Sequence, residues 1–362
     1  MWLATLRAGS TMSPLERVLT ALDGDTPDRV PCALAFYPVR FERLVPRSLR
    51  RDNPVDVHFV ETPLSREEKA LAKRVEKLPY DTRLGSPGQV LTYRRWGYHP
   101  ESPEARNPLM HARTLNDLRE FPFPDVTGVR PADHLRAAVA DWHARGLAVG
   151  GNLPHLGGEL FESAWRLRGL QNFLLDMVER PEWADYLLDR LTALARGNAQ
   201  TLAGVGVDVL ALDDDVGMPG TMFMSPALWR RFFKPRMAEI ITAARVVKPD
   251  LRVLYHSEGS IEPILADLIE IGVNALNPLQ PEHMDAVSVR KRFGPRLALW
   301  GTVGSQTLFS HGTPQQVRDE VRMRAETLGR AGLILCPAYD IDEPDTPREN
   351  IAAFLDAVQR YG

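Results

Sequence analysis

Arg252-Val253-Leu254-Tyr255-His256-Ser257-Glu258-Gly259-Ser260 sets a short aliphatic and β-branched run against an abrupt His-Ser-Glu-Gly cluster, and a helical pattern begins at once after it. In a chain of alternating strands and helices, such a junction is where a buried strand delivers polar side chains to a working surface. The reading of the fold turns on whether the junction recurs.

It recurs in both directions. Short, continuously apolar strand candidates fall at 30–36, 55–60, 147–152, 207–212, 251–255, 273–277, 297–300 and 333–336. Helical patterns separate them. Ser13-Pro14-Leu15-Glu16 is a capping box with proline at the first helical position, opening a helix to about Asp23. Ser65-Arg66-Glu67-Glu68 is a second box. Further helices are expected over 131–145, 157–178, 181–203, from the Ser225-Pro226 cap to about Val247, over 260–271 and 285–292, from Thr313 to about Gly329, and from Thr346 onward. Apolar strands buried on both faces and joined by amphipathic helices mean a parallel sheet. Eight of them fit an α/β fold of the (β/α)8 TIM-barrel type. The rival, a doubly wound open sheet, requires a glycine-rich turn after the first strand, and Phe36-Tyr37-Pro38-Val39 is no such turn.

Residues 1–12 are expected to be a flexible leader, and 13–362 a single barrel domain. Residues 80–130 break the alternation. Gly88 to Tyr98 reads as strand or hairpin material among proline-rich loops, an irregular insertion over one end of the barrel.

With 362 residues, the chain has an ordinary length for one such barrel, and 44% hydrophobic with 25% charged residues is the usual globular balance. The formal charge of −3 gives no field for nucleic acid or an anionic membrane. Two cysteines, Cys32 and Cys336, exclude a disulfide framework and a CxxC metal knuckle, so a reducing, cytoplasmic setting is expected. No signal peptide and no transmembrane-length apolar window is read.

The C-terminal ends of barrel strands carry the chemistry. Those ends are Asn152 and His155; Asp213, Asp214 and Asp215; His256, Ser257 and Glu258; Asn277 and Gln280; Thr302; and Cys336, Tyr339 and Asp340. His256 and Glu258, one residue apart, point the same way if the backbone stays extended. An imidazole and a carboxylate suit zinc or another divalent metal, with Cys336, Asp214 or a substrate thiolate completing the set. The alternative is an acid–base pair with no metal. Three consecutive aspartates cannot all stay charged and buried, so Asp214 is read as a substrate-facing group and a helix-capping role is its rival. Asp213, Asn152, Asn277, Gln280 and Cys336 are read as substrate-binding, although a strand cysteine is commonly just buried. Tyr339 is placed to donate a proton. Arg40, Arg43, Arg47, Arg50 and Arg51 are either a solvated face or an anion-binding segment. No Gly-x-Ser-x-Gly elbow, P-loop or HExxH is present.

Together these segments resemble the uroporphyrinogen decarboxylase superfamily, in particular its methyltransferase-like branch. The resemblance rests on Arg17 to Leu22 with Pro27-Asp28-Arg29-Val30-Pro31, on Leu167-Arg168-Gly169-Leu170, and on Leu212-Asp213-Asp214-Asp215-Val216-Gly217. It continues through Ser225-Pro226 with Trp229 to Phe232, His256-Ser257-Glu258-Gly259, Leu276-Asn277-Pro278-Leu279-Gln280, Leu335 to Asp340 and Asp345 to Asn350. It implies a (β/α)8 barrel and an enzyme, either a methyltransferase or a carboxy-lyase. The arginine-rich and Phe-Ser-Asp segments that true uroporphyrinogen decarboxylases share are missing. The corrinoid-dependent methyltransferases of the superfamily use a His-x-Cys plus a distant Cys to hold zinc. Here His256 matches the first ligand, Glu258 replaces the second, and Tyr339 falls at the third. The resemblance therefore implies a methyltransferase working with a corrinoid or a small methyl donor or acceptor. The alternatives are a decarboxylase of a tetrapyrrole or other carboxylate, and a non-catalytic corrinoid- or tetrapyrrole-binding protein. The cofactor expectations are zinc or another divalent metal, a corrinoid brought by a partner protein, or none. A small-molecule substrate and a homodimer complete the expected partners.

Overall fold

Capping chemistry starts the helices where the sequence places it. The Ser13 side chain accepts the Glu16 N–H at 3.2 Å, and Glu16 returns a bond to the Ser13 N–H at 2.8 Å, opening the helix Pro14–Leu22. Ser65 with Glu68 opens Arg66–Glu76, and Thr313 with Gln316 opens Pro314–Leu328. The computed structural model describes residues 11–39, 44–50, 55–61, 65–77, 90–92, 107–123, 132–152, 155–304, 307–338 and 346–362.

Nine strands are named among these residues: β1 Val57–Val60, β2 Ala148–Asn152, β3 Val209–Asp213, β4 Gly217–Met218, β5 Thr221–Met222, β6 Arg252–His256, β7 Ala275–Asn277, β8 Ala298–Val303 and β9 Leu333–Pro337. The architecture is α/β, with a seven-stranded sheet in the order β1-β2-β3-β6-β7-β8-β9 and a separate β4–β5 hairpin. The ladders β3–β6, β7–β8 and β8–β9 are parallel. Every residue of β3, β8 and β9 is buried, as expected of strands covered on both faces. No helix among the described residues is long and apolar enough to cross a membrane.

Several expected elements come out differently. The 30–36 stretch is not a strand among the described residues. Cys32 alone forms a parallel bridge, to Leu335, because the prolines and bends around it interrupt the ladder. Val90–Thr92 is helical rather than extended, and the rest of 88–98 lies outside the described residues. The helix expected over 157–178 begins only at Phe161 and breaks at Gly169, whose φ of 86° ends Phe161–Arg168 and precedes Leu170–Glu179. The helix after Ser225 divides into Pro226–Phe232 and Lys234–Val247, with Pro235 in the first turn of the second.

The chain divides into two compact units. The first comprises residues 1–59, 139–150 and 274–362. Within it, Arg17 is buried and forks to Asp28 at 2.7 Å and Asp56 at 2.6 Å, while Asp56 also accepts the Cys32 N–H at 2.7 Å. Backbone bonds place the Cys32 segment between two neighbours: Ala33 N–H reaches Leu335 O, and Asp56 N–H reaches Cys32 O, both at 2.9 Å. Ala148 N–H then reaches Asp56 O at 3.0 Å. β8 pairs residue for residue with β9, so that Thr302 faces Cys336. Thr302 has φ of 74°, costly for a β-branched residue, and its hydroxyl is buried without a hydrogen-bond partner among the described residues.

The second unit comprises residues 60–138 and 151–273. The long helix Pro181–Val205 packs against Lys234–Val247, and Arg168 is buried against Asp176 at 2.7 Å. At the centre of this unit β3 and β6 run side by side from Val209↔Arg252 to Asp213↔His256.

Candidate active site at the ends of two strands

β3 and β6 end level with one another, so Asp213 and His256 leave the sheet as register partners. Parallel pairing continues one step further, with the Asp214 N–H donating to the His256 carbonyl at 3.1 Å. The two exits are then bonded together. Ser257 Oγ accepts the Val216 N–H at 3.0 Å, and the Glu258 N–H donates to Asp215 Oδ1 at 2.7 Å. Beyond them, Ser260 pairs with Met218 of the β4–β5 hairpin. Gly217 and Gly259 permit this approach: a Cβ on Gly217 would collide with the Glu258 carbonyl, and one on Gly259 would sit 2.6 Å from the Met218 nitrogen.

The result is a cluster of Asp213, Asp215 and His256. Their potential ligand atoms all lie within 4.8 Å of one another. His256 Nε2 is 4.0 Å from Asp213 Oδ1 and 3.6 Å from Asp215 Oδ1. The Asp215 side chain keeps 32% of its surface exposed, which gives solvent and small molecules a way in.

A second layer comes from the loop before Phe161–Arg168. Glu159 and Asp213 are joined twice: the Glu159 N–H donates to the Asp213 carbonyl at 2.8 Å, and Glu159 Oε2 accepts the Asp213 N–H at 2.5 Å. His155 Nδ1 accepts the Gly157 N–H at 3.1 Å, which puts the imidazole proton on Nε2. That nitrogen lies 3.4 Å from Asp213 Oδ2. Glycine at 158 is needed, because a Cβ there would stand 2.6 Å from Asp214 Oδ1.

Asp214 turns away from this cluster. It is fully buried, its Oδ2 and Oδ1 accepting the Phe161 and Glu162 N–H groups at 2.9 and 3.0 Å. It therefore caps the helix Phe161–Arg168, and Tyr255 Oη adds a bond to its carbonyl at 3.1 Å. The cap sets Glu162 in the first turn, where it meets Arg166 at 3.2 Å.

Burial and mutual repulsion govern the charges. Burial first, then Asp215 and Glu159, hold the Asp213 carboxyl well above its ordinary range. Glu159 is raised by burial and by Asp214. Glu162 is pushed up to about 8 by burial and then by Asp215, against the pull of Arg166. Asp214 rises to about 7 through burial, opposed by the N–H bonds it accepts. Burial, then His256 and Arg166, lower His155 to about 3, so it is neutral.

The expected site residues thus separate. His256 and Asp213 come together with Asp215. Glu258 is not in the ligand group: the chain turns after β6, and its backbone N–H rather than its carboxylate meets Asp215. Asn152 ends β2 in the same unit, with a buried amide nitrogen that lacks a hydrogen-bond partner among the described residues. Asn277, Gln280 and Cys336 belong to the first unit. There Asn277 is buried and donates to the Trp300 carbonyl at 3.0 Å, Gln280 is buried, and Cys336 sits inside β9. Tyr339, Asp340, Arg40, Arg43 and Arg51 lie outside the described residues. Glu159 and Glu162 were not anticipated. The signal for them was Gly157-Gly158-Glu159, two glycines after a strand end and before an acidic helix start.

The donor set gathered here is one imidazole and two carboxylates. It suits a divalent metal that accepts oxygen and nitrogen, and it does not reproduce a His-x-Cys thiolate set.

Comparison with known proteins gives the chain relatives of two kinds. Residues 161–361 match the family model for uroporphyrinogen decarboxylase (URO-D). A methylcobamide:CoM methyltransferase MtaA from Methanosarcina barkeri is 27% identical over 216 residues, 59% of this chain and 60% of that protein. The match thus spans less than two thirds of the methyltransferase. A uroporphyrinogen decarboxylase from Coxiella burnetii is 27% identical over 279 residues, covering 72% of this chain and 70% of the relative. Among solved structures, a methyltransferase from Methanosarcina mazei has the same kind of fold, with a TM-score of 0.63 and 19% identity over 97% of this chain and 99% of that one.

Proposed function

Because the chain belongs to the uroporphyrinogen decarboxylase family, we infer that it is a methyltransferase built on a (β/α)8 barrel, moving a methyl group between a corrinoid and a small acceptor. The observation that carries this reading is the junction of β3 and β6, where Asp213, Asp215 and His256 meet at strand C-termini. The Cys32 segment, bonded to both Leu335 and Asp56, supports an eighth strand position. Two buried free cysteines agree with a reducing, cytoplasmic setting.

The reaction needs an acceptor deprotonated beside a methyl donor. Without a metal, Asp215, the most exposed side chain of the cluster, takes the acceptor proton. Glu162, held near pKa 8 by burial and Asp215, is protonated at neutral pH and donates a hydrogen bond rather than adding charge. A divalent metal at Asp213, Asp215 and His256, when bound, supplies Lewis acidity that lowers the acceptor's pKa. The acceptor sulfur or oxygen forms its bond to the methyl carbon, and the electron pair of the broken carbon–cobalt bond leaves with the corrinoid. As in the named relative, a thiol such as CoM is the first acceptor to try.

The test is methyl transfer from methylcobalamin to a panel of thiols, followed by the loss of the methylcobalamin spectrum. Turnover that falls at least a hundredfold in His256→Ala supports the reading. A folded wild-type protein that demethylates nothing, with or without added divalent metal, refutes it.

A second reading has one observation in its favour. In the first unit three arginines, Arg47, Arg50 and Arg348, and one acidic residue, Glu349, line a cavity of about 610 Å³ whose other walls include Leu44 and Ala352. Such a pocket suits a polycarboxylate, as a decarboxylase requires. Release of CO2 from uroporphyrinogen, reduced by Arg50→Ala, would select it over methyl transfer.

A further inference from the structure

Asp213, Asp215 and His256 come from two strand exits that are locked to each other by backbone bonds, so their spacing is a property of the sheet rather than of a mobile loop. Three ligand atoms on a divalent ion at about 2.1 Å stand roughly 3.0 to 3.5 Å apart. The separations of 3.6 and 4.0 Å from His256 Nε2, with all three ligand atoms within 4.8 Å of one another, are closed to that range by side-chain rotation of the two aspartates.

The surroundings call for a cation. Glu159, Glu162, Asp213, Asp214 and Asp215 are mutually close, and among the described residues Arg166 offsets them with a single guanidinium, 3.2 Å from Glu162. Glu159 is 4% exposed, and its Oε1 is buried with no hydrogen-bond partner among the described residues, on a side chain whose other oxygen is bonded to the Asp213 backbone. An orphaned buried carboxylate oxygen is expensive unless something positive lies within reach. His155 adds a supporting group. Its Nε2 is buried, makes no hydrogen bond among the described residues and lies 3.4 Å from Asp213 Oδ2, within reach of the position from which a neighbouring donor orients a ligating carboxylate.

We propose that Asp213, Asp215 and His256 bind one divalent cation in an oxygen-rich site of Mn2+ or Fe2+ type, with Glu159 and His155 as the groups that orient Asp213. The assignment rests on reading this cluster as the working site, and it changes the chemistry expected there. Two carboxylates and one imidazole make a hard set, without the soft thiolates that select zinc in a His-x-Cys arrangement. Glu258 is left out of the site, although sequence spacing puts it nearest His256. Three protein ligands leave positions open for water and substrate, and Asp215 lies on the open side.

The full-length chain is stripped with chelator, checked for folding by circular dichroism, and titrated with MnCl2. Free Mn2+ is followed by electron paramagnetic resonance, and bound metal is counted by mass spectrometry. The expected result is one Mn2+ per chain, with at least tenfold weaker binding in Asp215→Asn and in His256→Ala. His155→Ala should weaken it about tenfold, and Glu258→Gln should leave stoichiometry and affinity as in the wild type. The cobalt-loaded protein should show no thiolate-to-cobalt charge-transfer band. A folded wild-type chain that binds neither Mn2+ nor Zn2+ at about 1 mM, where interactions worth only ~4 kcal/mol are still detected, overturns the proposal. So does binding that survives Asp215→Asn and is lost in Glu258→Gln, or a thiolate band on cobalt. Metal binding without methyl transfer would sink the functional reading and leave this one standing. Methyl transfer by a protein that binds no divalent metal would do the reverse.

Discussion

Asp213 and His256 are register partners on parallel strands, and the pairing outlasts the strands because the Asp214 N–H still donates to the His256 carbonyl at 3.1 Å. The two loops beyond therefore behave as one piece, bonded again at Val216 to Ser257 and at Glu258 to Asp215. A change in one loop should be felt by the other.

Gly259 tests that coupling. It has φ of 76°, and an added Cβ would lie 2.6 Å from the Met218 nitrogen. Gly220 has the same φ, with nothing within 4 Å of its Cβ position. Gly259→Ala should therefore lose about 2 to 3 kcal/mol of stability and much of the site's activity, through backbone strain plus a collision. Gly220→Ala should lose about 1 kcal/mol through strain alone. Urea unfolding of both variants makes the comparison, and equal losses would refute the coupling.

Asp214 is predicted to be a structural group. Its carboxylate satisfies two N–H groups at the start of Phe161–Arg168 in a fully buried place. Asp214→Ala leaves both orphaned and should cost about 2 to 4 kcal/mol. Asp214→Asn keeps one acceptor oxygen and should cost roughly half as much. Denaturant midpoints would show the order, and an alanine variant as stable as wild type would return Asp214 to a substrate-facing role.

Much of the fold was legible because parallel strands and capped helices leave local marks. Ser13-Glu16, Ser65-Glu68 and Thr313-Gln316 are bonded as their spacing requires. Breaks were less visible. Gly169 and Pro235 sit inside apolar periodicity that runs on across them, so two pairs of helices read as two single ones. In the site, the strand ends at Asp213 and His256 could be read directly from where the apolar runs stop. Glu159 and Glu162 could not, because a tertiary loop brings them there and no period marks it. Glu258 misled for a related reason. The alternation rule holds only while the backbone stays extended, and β6 ends at His256.

Arg17 should be the costliest charge to remove from the first unit. Its guanidinium bridges Asp28 and Asp56, and the Asp56 side chain is 1% exposed. Arg29 also reaches Asp56, at 2.8 Å, but from a more exposed position. Arg17→Met leaves a buried carboxylate short of its main partner and should cost about 3 to 5 kcal/mol. Arg17→Lys keeps the charge but loses the fork, so an intermediate loss is expected. Thermal unfolding of the two variants would decide, and a methionine variant within 1 kcal/mol of wild type, small against the roughly 3 kcal/mol minimum for breaking a buried pair, would contradict the role.

His58 gives the protein a predictable acid response. Its ring stacks on Trp142 at 4.1 Å between centroids and 6° between planes, with Arg145 over the same indole at 4.2 Å. Burial first, then Arg145, lower its pKa from 6.5 to about 4. The folded chain therefore keeps His58 neutral where the unfolded chain already binds a proton. Its contribution is complete above pH 6.5 and shrinks as the pH falls toward 4, by roughly 3 kcal/mol in all. At pH 5 the loss should be about 2 kcal/mol relative to pH 7.5. His58→Phe preserves the stack and has no proton to bind. Urea unfolding of both proteins at the two pH values should show the wild type losing about 2 kcal/mol more than the variant. Parallel losses in the two proteins would mean that His58 titrates alike in the folded and unfolded chains.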